Sequence, residues 1–165
     1  MKKRTILRST AMLLVIALAL FAAGCGSKKA EEESTPTAPS VDENVLGDSD
    51  SGRAMGLQTV NYPYDSFVLD EAAKTVLRNN AQILKDKSSL KVQIEGHCDA
   101  RGGIQYNIAL GEKRADAARK FLVDIGVAGD RVTTISYGKE RPLATGTSEE
   151  DYARNRRSNF VITSR

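Results

Sequence analysis

The sequence predicts an α/β domain of the α+β two-layer type, in which helices pack on one face of a small mixed sheet. Segments with apolar residues at helical spacing alternate with segments of strand-like alternation. Their order along the chain is β-α-β-α-β-(α)-β, which favours helices on one face of a sheet. The predicted domain spans residues 57–165, an ordinary size for a single domain.

The predicted domain begins with a strand, a helix and a second strand. Residues 57–62 are predicted to form a short strand that Pro63 ends, because proline cannot continue the interior of a sheet. From 69 to 85 the apolar side chains recur at helical spacing, which predicts an amphipathic helix. Val92 and Ile94 alternate with polar neighbours and predict the second strand.

A polar, glycine-marked loop over 96–103 precedes a second long helix. That helix spans 106–125, where several apolar residues share one face, and Gly126 ends it. The remaining predicted elements are a third strand, a loop, a short helix capped by Ser148 and a last strand, over 132–137, 138–146, 148–154 and 158–163.

Residues 1–24 have the pattern of a signal peptide. A basic start is followed by an unbroken apolar run from Ala11 to Ala23, which is shorter than the roughly 20 residues of a membrane span. The end of this run, Leu20-Phe21-Ala22-Ala23-Gly24-Cys25, resembles a lipobox and predicts lipidation of Cys25. A retained anchor helix, or a secreted protein with an incidental cysteine, is the alternative.

Residues 25–56 are predicted to form the lipidated cysteine and a flexible tether, because they are rich in serine, threonine, proline, glycine and acid. The formal charge of +3 belongs to the leader: without residues 1–24 the chain has 20 basic and 21 acidic residues. A protein that binds nucleic acid should keep a basic excess on its folded part, so this class loses its main support.

The most informative segment runs from Glu95 to Gly103 and on into the second helix. Asp99 and Arg101 lie in a turn between a strand and a helix, and Asn107 lies near the start of that helix. A carboxylate and a guanidinium held on such a frame can recognise a zwitterion, because the carboxylate takes an ammonium and the guanidinium a carboxylate. A purely structural salt bridge is the alternative for Asp99 and Arg114.

The same segment contains residues with catalytic potential, but their spacing argues against catalysis. His97 and Cys98 are adjacent in an extended segment, so they point to opposite sides and make a poor nucleophile–base pair. His97, Cys98 and Asp99 are too close in sequence to enclose a metal ion without distant ligands. The sequence therefore predicts no enzyme, no metal and no cofactor.

Four separated motifs carry a family resemblance. In their order and spacing they resemble the signature of OmpA-like peptidoglycan-binding domains, over about residues 57–162, and the lipobox and tether extend the likeness to lipoproteins of that family. The motifs are Glu95-Gly-His-Cys-Asp-Ala-Arg-Gly, Tyr106-Asn-Ile-Ala-Leu-Gly-Glu-Lys-Arg-Ala, Ser136-Tyr-Gly-Lys-Glu-Arg-Pro and Asn155-Arg-Arg.

This resemblance implies a site that binds the meso-diaminopimelate of the peptidoglycan stem peptide. Asp99 matches the residue that holds the ammonium, Arg114 the one that holds the carboxylate, and Asn107 an asparagine of the site network. Tyr64 and Asp65, together with Arg101 and Leu110, match positions that line the pocket. Cys98, Gly103 and Tyr64 depart from the residues common in the family. Arg154, Arg156 and Arg157 are expected at a solvated edge, although the resemblance indicates that one of them faces the pocket.

The resemblance also implies a cellular context. It predicts an outer-membrane lipoprotein, anchored through Cys25 and facing the periplasm, that tethers this membrane to the cell wall. It further implies docking to the Tol system, notably TolB, with a role in envelope integrity and cell division. A wall-modifying enzyme and a stator-type motor component with the same wall-binding domain are the rival hypotheses.

Overall fold

The computed structural model describes residues 46–165. The predicted signal peptide (1–24), the lipidation site Cys25 and the tether up to residue 45 lie outside the described residues. Within the described part, no helix is both long enough and apolar enough to cross a membrane.

The described chain contains four strands, three α-helices and one 3-10 turn, in the predicted order. They are β1 (Val60–Asn61), α1 (Glu71–Asp86), β2 (Lys91–His97), α2 (Ile104–Asp124), a 3-10 turn (Gly129–Arg131), β3 (Val132–Gly138), α3 (Glu149–Asn155) and β4 (Arg157–Ser164). Most boundaries fall within a few residues of the predicted ones. Two predicted helix signals are confirmed, since Ser148 forms a capping box on α3 and Gly126 adopts a left-handed φ of 96° directly after α2.

The four strands form one mixed sheet in the order β1-β4-β2-β3. β2 pairs in parallel with β3, and β4 runs antiparallel to both β1 and β2. Parallel pairing of β2 and β3 requires a crossover, and α2 provides it. The predicted α/β class and mixed sheet are confirmed.

The main hydrophobic core lies between the sheet and the two long helices. It combines side chains of β2 and β4, such as Ile94 and Phe160, with side chains of α1 and α2, such as Leu77 and Leu122, all fully buried. Alternation along each strand sends every second residue toward the helices, which explains the strand periodicity of the sequence.

Two glycines bring α2 against the end of β2. A Cβ atom on Gly96 would collide with the backbone carbonyl of Gly111, and a Cβ atom on Gly111 would collide with the Ser136 hydroxyl. Only glycine permits this close approach of helix to strand. The contact fixes the position of the 98–103 loop, which joins the two elements.

The folded part begins earlier than the predicted boundary at residue 57. Leu46 donates a backbone hydrogen bond to Ile162, and Asp48 forms a bridge with Val161 of β4. The Asp50 carboxylate pairs with Arg157 at 2.8 Å. The prediction of a tether is therefore wrong for residues 46–56, because this segment is held by backbone bonds and an ion pair rather than by an apolar pattern that sequence periodicity would reveal.

Candidate functional site

A cavity of about 240 Å³ lies where the loop after β1, the loop after β2 and the first turns of α2 meet. All seven residues that the sequence predicts for the site line it, together with Cys98, Gly102 and Tyr106. The predicted seven are Tyr64, Asp65, Asp99, Arg101, Asn107, Leu110 and Arg114. The fold therefore gathers residues from two distant stretches of chain into one pocket.

Asp99 is buried and bound by two arginines. Arg101 donates to it from its backbone amide at 3.1 Å, from Nε at 3.3 Å and from Nη2 at 2.6 Å. Arg156 donates from Nη1 at 3.2 Å. Burial by itself raises the pKa of Asp99, but the hydrogen bonds from these arginines outweigh it and hold the pKa below its usual range. Asp99 is thus a carboxylate at neutral pH.

Arg101 is the partner of Asp99 rather than a second, opposed charge. Its guanidinium lies between two aromatic rings, 4.0 Å from the centroid of Tyr64 and 4.4 Å from that of Tyr152, and it also reaches Glu149 at 3.2 Å. The expectation that Asp99 and Arg101 face each other across a bound zwitterion is wrong in this respect, because residues two apart in a tight turn bind each other directly.

Arg114 supplies the opposed positive charge. This residue is 1% exposed and donates to three carbonyl oxygens, those of Ser66 and His97 at 2.8 Å and of Pro63 at 3.3 Å, and to Cys98 Sγ at 3.4 Å. These contacts use four of its five N–H groups. Within residues 46–165 no carboxylate pairs with Arg114, so the cavity contains a buried cation without a counter-ion.

Burial lowers the pKa of the Arg114 guanidinium, and nearby groups such as Cys98 and Tyr62 partly oppose that effect. A guanidinium nevertheless stays charged at neutral pH. A buried charge is costly unless it is paired, and Arg114 is held by three neutral carbonyl groups and the Cys98 thiol. The pocket therefore offers a fixed cation for an anionic group of a ligand.

Asp65 is placed at the cavity by an unusual backbone conformation. Its φ is 50°, in the left-handed region that non-glycine residues seldom adopt. The hydroxyl of Tyr106 donates to its carboxylate, and this bond raises the pKa of Tyr106. Strained residues of this kind are often found at functional sites, and Asp65 adds a second carboxylate to the cavity wall.

Asn107 lines the cavity and also holds the loop through its amide nitrogen. Its Nδ2 donates to the backbone carbonyls of Arg101 and Gly103, at 2.8 and 3.1 Å. Between them, Gly102 has a φ of 85°, which favours glycine. Asn107 therefore fixes the turn that carries Arg101, while Leu110 contributes apolar wall.

Several site residues are missing from the sequence-based set. Arg156 binds Asp99, so it is the arginine of the Asn155-Arg-Arg motif that faces the pocket. Glu149 binds Arg156 and Arg101 together, and Tyr152 stacks on Arg101. Arg156 and Arg157 are 6% and 4% exposed, so the solvated edge expected for this basic run is wrong for both. The three acidic residues and one tyrosine of 149–152 give no local signal of contact with Arg101, about 50 residues earlier.

The geometry separates the two residues with catalytic potential. The Cys98 thiol lines the cavity and donates to the Asn107 carbonyl at 3.3 Å, whereas the His97 ring stacks on Tyr137 at 5.7 Å between centroids. Burial raises the pKa of the Cys98 thiol, against the opposing influence of Arg114. The thiol is therefore protonated and has no imidazole to activate it.

Comparison with known proteins gives consistent matches. Residues 61–156 match the OmpA family. The chain is 40% identical over 158 residues to the peptidoglycan-associated lipoprotein of Mesorhizobium japonicum. This alignment covers 92% of this chain and 90% of the relative.

Two solved structures resemble the described fold. The peptidoglycan-associated lipoprotein of Burkholderia pseudomallei superposes with a TM-score of 0.61 and 38% identity, over 63% of this chain and 88% of that one. The C-terminal domain of Helicobacter pylori MotB has a TM-score of 0.61 at 20% identity, over 65% of this chain and 84% of that one. At that identity the second likeness concerns the fold alone.

Proposed function

The chain belongs to the OmpA family, and we propose that it binds peptidoglycan non-covalently, as a structural binding protein and not as an enzyme. The observation that carries this proposal is Arg114, a buried cation that lines a cavity and has no carboxylate partner among residues 46–165. Its relatives are named for association with peptidoglycan rather than for a reaction. The protonated thiol of Cys98, which donates to the Asn107 carbonyl, and the stacking of the His97 ring on Tyr137 support the same conclusion.

The proposed ligand is the meso-diaminopimelate of the stem peptide. The free end of this residue carries one ammonium and one carboxylate. Arg114 has one N–H left for the carboxylate. Asp65 offers a carboxylate for the ammonium, and Asp99 takes the ammonium by exchanging a bond from Arg101 or Arg156. A cavity of about 240 Å³ is smaller than the ~300 Å³ at which pockets for drug-sized ligands begin, which favours a single amino-acid end group over a sugar chain.

We further propose that Cys25 carries lipid after removal of residues 1–24, and that it anchors the protein in the outer membrane on its periplasmic face. The segment from Cys25 to residue 45 then serves as a tether to the wall-binding domain. A single stem-peptide contact is of modest strength. Many anchored copies along one polymer would raise the effective concentration at the wall and so provide avidity.

The likeness to peptidoglycan-associated lipoproteins supports a place in a Tol–Pal-type system, with TolB and other Tol proteins as partners in envelope integrity and cell division. Co-purification of TolB with the lipid-anchored protein tests this part, and its failure would leave the wall-binding proposal unaffected.

Sedimentation with purified sacculi tests the site. Wild type should sediment with diaminopimelate-type walls and much less with lysine-type walls, because lysine lacks the terminal carboxylate that Arg114 would bind. Asp99→Asn and Arg114→Lys should each lower the affinity for these walls by roughly 10- to 100-fold, as expected for loss of a charged hydrogen bond. Less of each variant should then sediment with the walls. The matched controls are Asp124→Asn and Arg78→Lys, whose side chains are 55% and 54% exposed on the helices.

If both site variants sediment like the wild type while the controls also do, the assignment of the pocket is wrong.

Metabolic labelling with palmitate tests the anchor separately. A stator-type motor component would keep an uncleaved membrane helix and take up no label, whereas a lipoprotein would be labelled, and Cys25→Ser would abolish that label.

A further inference from the structure

His97 is a buried residue that the proposed binding site does not use. It is the last residue of β2 and only 1% exposed. Gly96 faces α2, so alternation along β2 sends Glu95 and His97 to the opposite face of the sheet. Nε2 of His97 lies 3.5 Å from Oε2 of Glu95, and neither ring nitrogen has a hydrogen-bond partner within residues 46–165.

A buried imidazole with two unsatisfied nitrogens is unusual, because such groups normally find a partner. Burial lowers the pKa of His97 below its ordinary value, and the contact with Glu95 opposes that effect. Charged and titratable groups act on the ring from the surrounding elements, namely Glu95 of β2, Tyr137 of β3, Arg157 of β4 and Asp50 of the N-terminal segment. Arg141, in the loop after β3, lies over the Tyr137 ring. Of these, Glu95 is the carboxylate in direct contact with the ring.

The backbone of His97 reaches the ligand cavity on the other side of the sheet. Its carbonyl oxygen accepts a hydrogen bond from Arg114 Nη1 at 2.8 Å. The next two residues, Cys98 and Asp99, line the cavity themselves. A movement of the His97 ring toward Glu95 would thus displace a carbonyl that orients the guanidinium of Arg114.

We propose that His97 is a positioning residue for Arg114, and that its protonation in mildly acid solution draws the ring to Glu95, shifts the His97 carbonyl and weakens binding of peptidoglycan. This inference rests on the proposed wall-binding function. Arg114 has one N–H left for a ligand, so a small rotation of its guanidinium removes the ligand contact. Protonation supplies the driving force because an imidazolium is attracted to the Glu95 carboxylate and can donate a hydrogen bond to it.

The chain is well suited to this test because it contains a single histidine. The Asp99 carboxyl has a depressed pKa and stays ionised in mild acid, and the Cys98 thiol has a raised pKa and stays protonated. Histidine is the side chain whose ordinary pKa, about 6.5, lies in this range. A change of affinity between neutral and mildly acid pH can therefore be assigned to the protonation of His97.

The test measures affinity for soluble diaminopimelate muropeptide from about pH 7.5 to about pH 4.5, alongside an NMR titration of the single histidine ring in the same protein. The wild type should lose roughly fivefold or more in affinity, a usual size for coupling between sites, with a midpoint equal to the pKa of His97. His97→Phe keeps a ring to stack on Tyr137 and cannot be protonated, so its affinity should be independent of pH over this range.

Glu95→Gln is the second variant. It removes the charge that attracts the imidazolium while keeping an oxygen for Asn159, whose Nδ2 donates to Glu95 at 2.9 Å. Its midpoint should move to lower pH. A wild-type affinity that stays flat, a His97→Phe profile that matches the wild type, or a ring that does not titrate in this range would overturn the inference. Absence of binding at neutral pH would instead contradict the proposed function.

Discussion

Arg114 and Asp99 line one cavity from two different elements, and no ion pair joins them. Asp99 binds Arg101 and Arg156, while Arg114 binds backbone carbonyls and Cys98. Had the two groups been paired, a ligand would have to break their bond before it could enter. Their separation leaves Arg114 as a cation without a carboxylate partner, while Asp65, which accepts from the neutral Tyr106 hydroxyl, lines the same pocket as a carboxylate without an arginine partner among residues 46–165. A zwitterion requires such a pair of opposite charges.

This separation leads to a prediction about the ligand. A muropeptide in which the free carboxylate of diaminopimelate is amidated should bind roughly 10- to 100-fold more weakly than the unmodified form, because Arg114 then loses its charged partner. The comparison is made by calorimetry with both ligands. In Arg114→Lys the two ligands should differ much less, and an equal discrimination in that variant would show that another residue reads the carboxylate.

The close approach of α2 to β2 predicts a large loss of stability on adding one methyl group. Gly96→Ala should lower the free energy of unfolding by about 2–4 kcal/mol, because the new Cβ meets the Gly111 carbonyl and the backbone must move. Urea denaturation measures the change. Gly103→Ala is the matched control, since a Cβ there meets nothing within 4 Å, and it should change stability by less than about 1 kcal/mol.

The ion pair between Asp50 and Arg157 predicts that the N-terminal segment contributes to folding. Both side chains are at most 10% exposed, and Asp50 also accepts from Thr59 at 2.8 Å. Asp50→Ala leaves a buried guanidinium without its partner and should cost about 3 kcal/mol of unfolding free energy. Asp124→Ala, at an exposed pair on α2, should cost less than about 1 kcal/mol. Equal effects would mean that the segment is a tether after all.

The sequence allowed much of the site to be predicted because it lies on one contiguous strand–turn–helix. Asp99, Asn107 and Arg114 are at most 15 residues apart, so their common pocket follows from local periodicity and the glycine-rich turn. Tyr64 and Asp65 could be placed there only through the family resemblance, because they come from a different loop. Their positions depend on tertiary packing, which periodicity does not encode.

The remaining contacts are long-range and leave no local pattern. Arg156 and Asp99 are 57 residues apart, and Arg157 and Asp50 are 107 apart. A run of arginines is usually solvated, and a segment rich in serine, glycine and acid is usually a tether. Both expectations fail here for the same reason: each group is buried by a partner of opposite charge that the neighbouring sequence does not reveal.

The Tyr62 hydroxyl links the core to α2, and its environment predicts its titration. It donates to the Arg114 carbonyl at 2.8 Å and lies 3.1 Å from the Ser158 hydroxyl. Burial raises the pKa of Tyr62 to about 12, although Ser158 and Arg114 lower it in part. In the unfolded chain the pKa is about 10, so the native state retains its proton more tightly. The resulting stability is complete below about pH 10 and is lost as the pH rises toward about 12.

An absorbance titration of folded protein should therefore show a late step near pH 12, which Tyr62→Phe removes, while the raised pKa of Tyr106 is kept in that variant. The same variant should also cost about 1–2 kcal/mol near neutral pH, since it leaves the buried Arg114 carbonyl without this donor. Tyr64→Phe, at a 59% exposed position, is the matched control and should leave both the late step and the stability unchanged. A late step that survives in Tyr62→Phe would mean that another tyrosine is the buried one.

The Cys98 thiol tests whether the cavity is a binding site or a reactive one. It is 2% exposed, and burial raises its pKa, so little thiolate is present at neutral pH. In a chain with Cys25→Ser, we expect iodoacetamide to modify Cys98 slowly in the native state and at an ordinary rate once urea unfolds the protein. Saturating muropeptide should slow the native reaction further, because the thiol lines the cavity. Fast alkylation of the native protein, with no protection by the ligand, would show that this thiol is activated. That result would support a covalent reaction at Cys98 instead of simple binding.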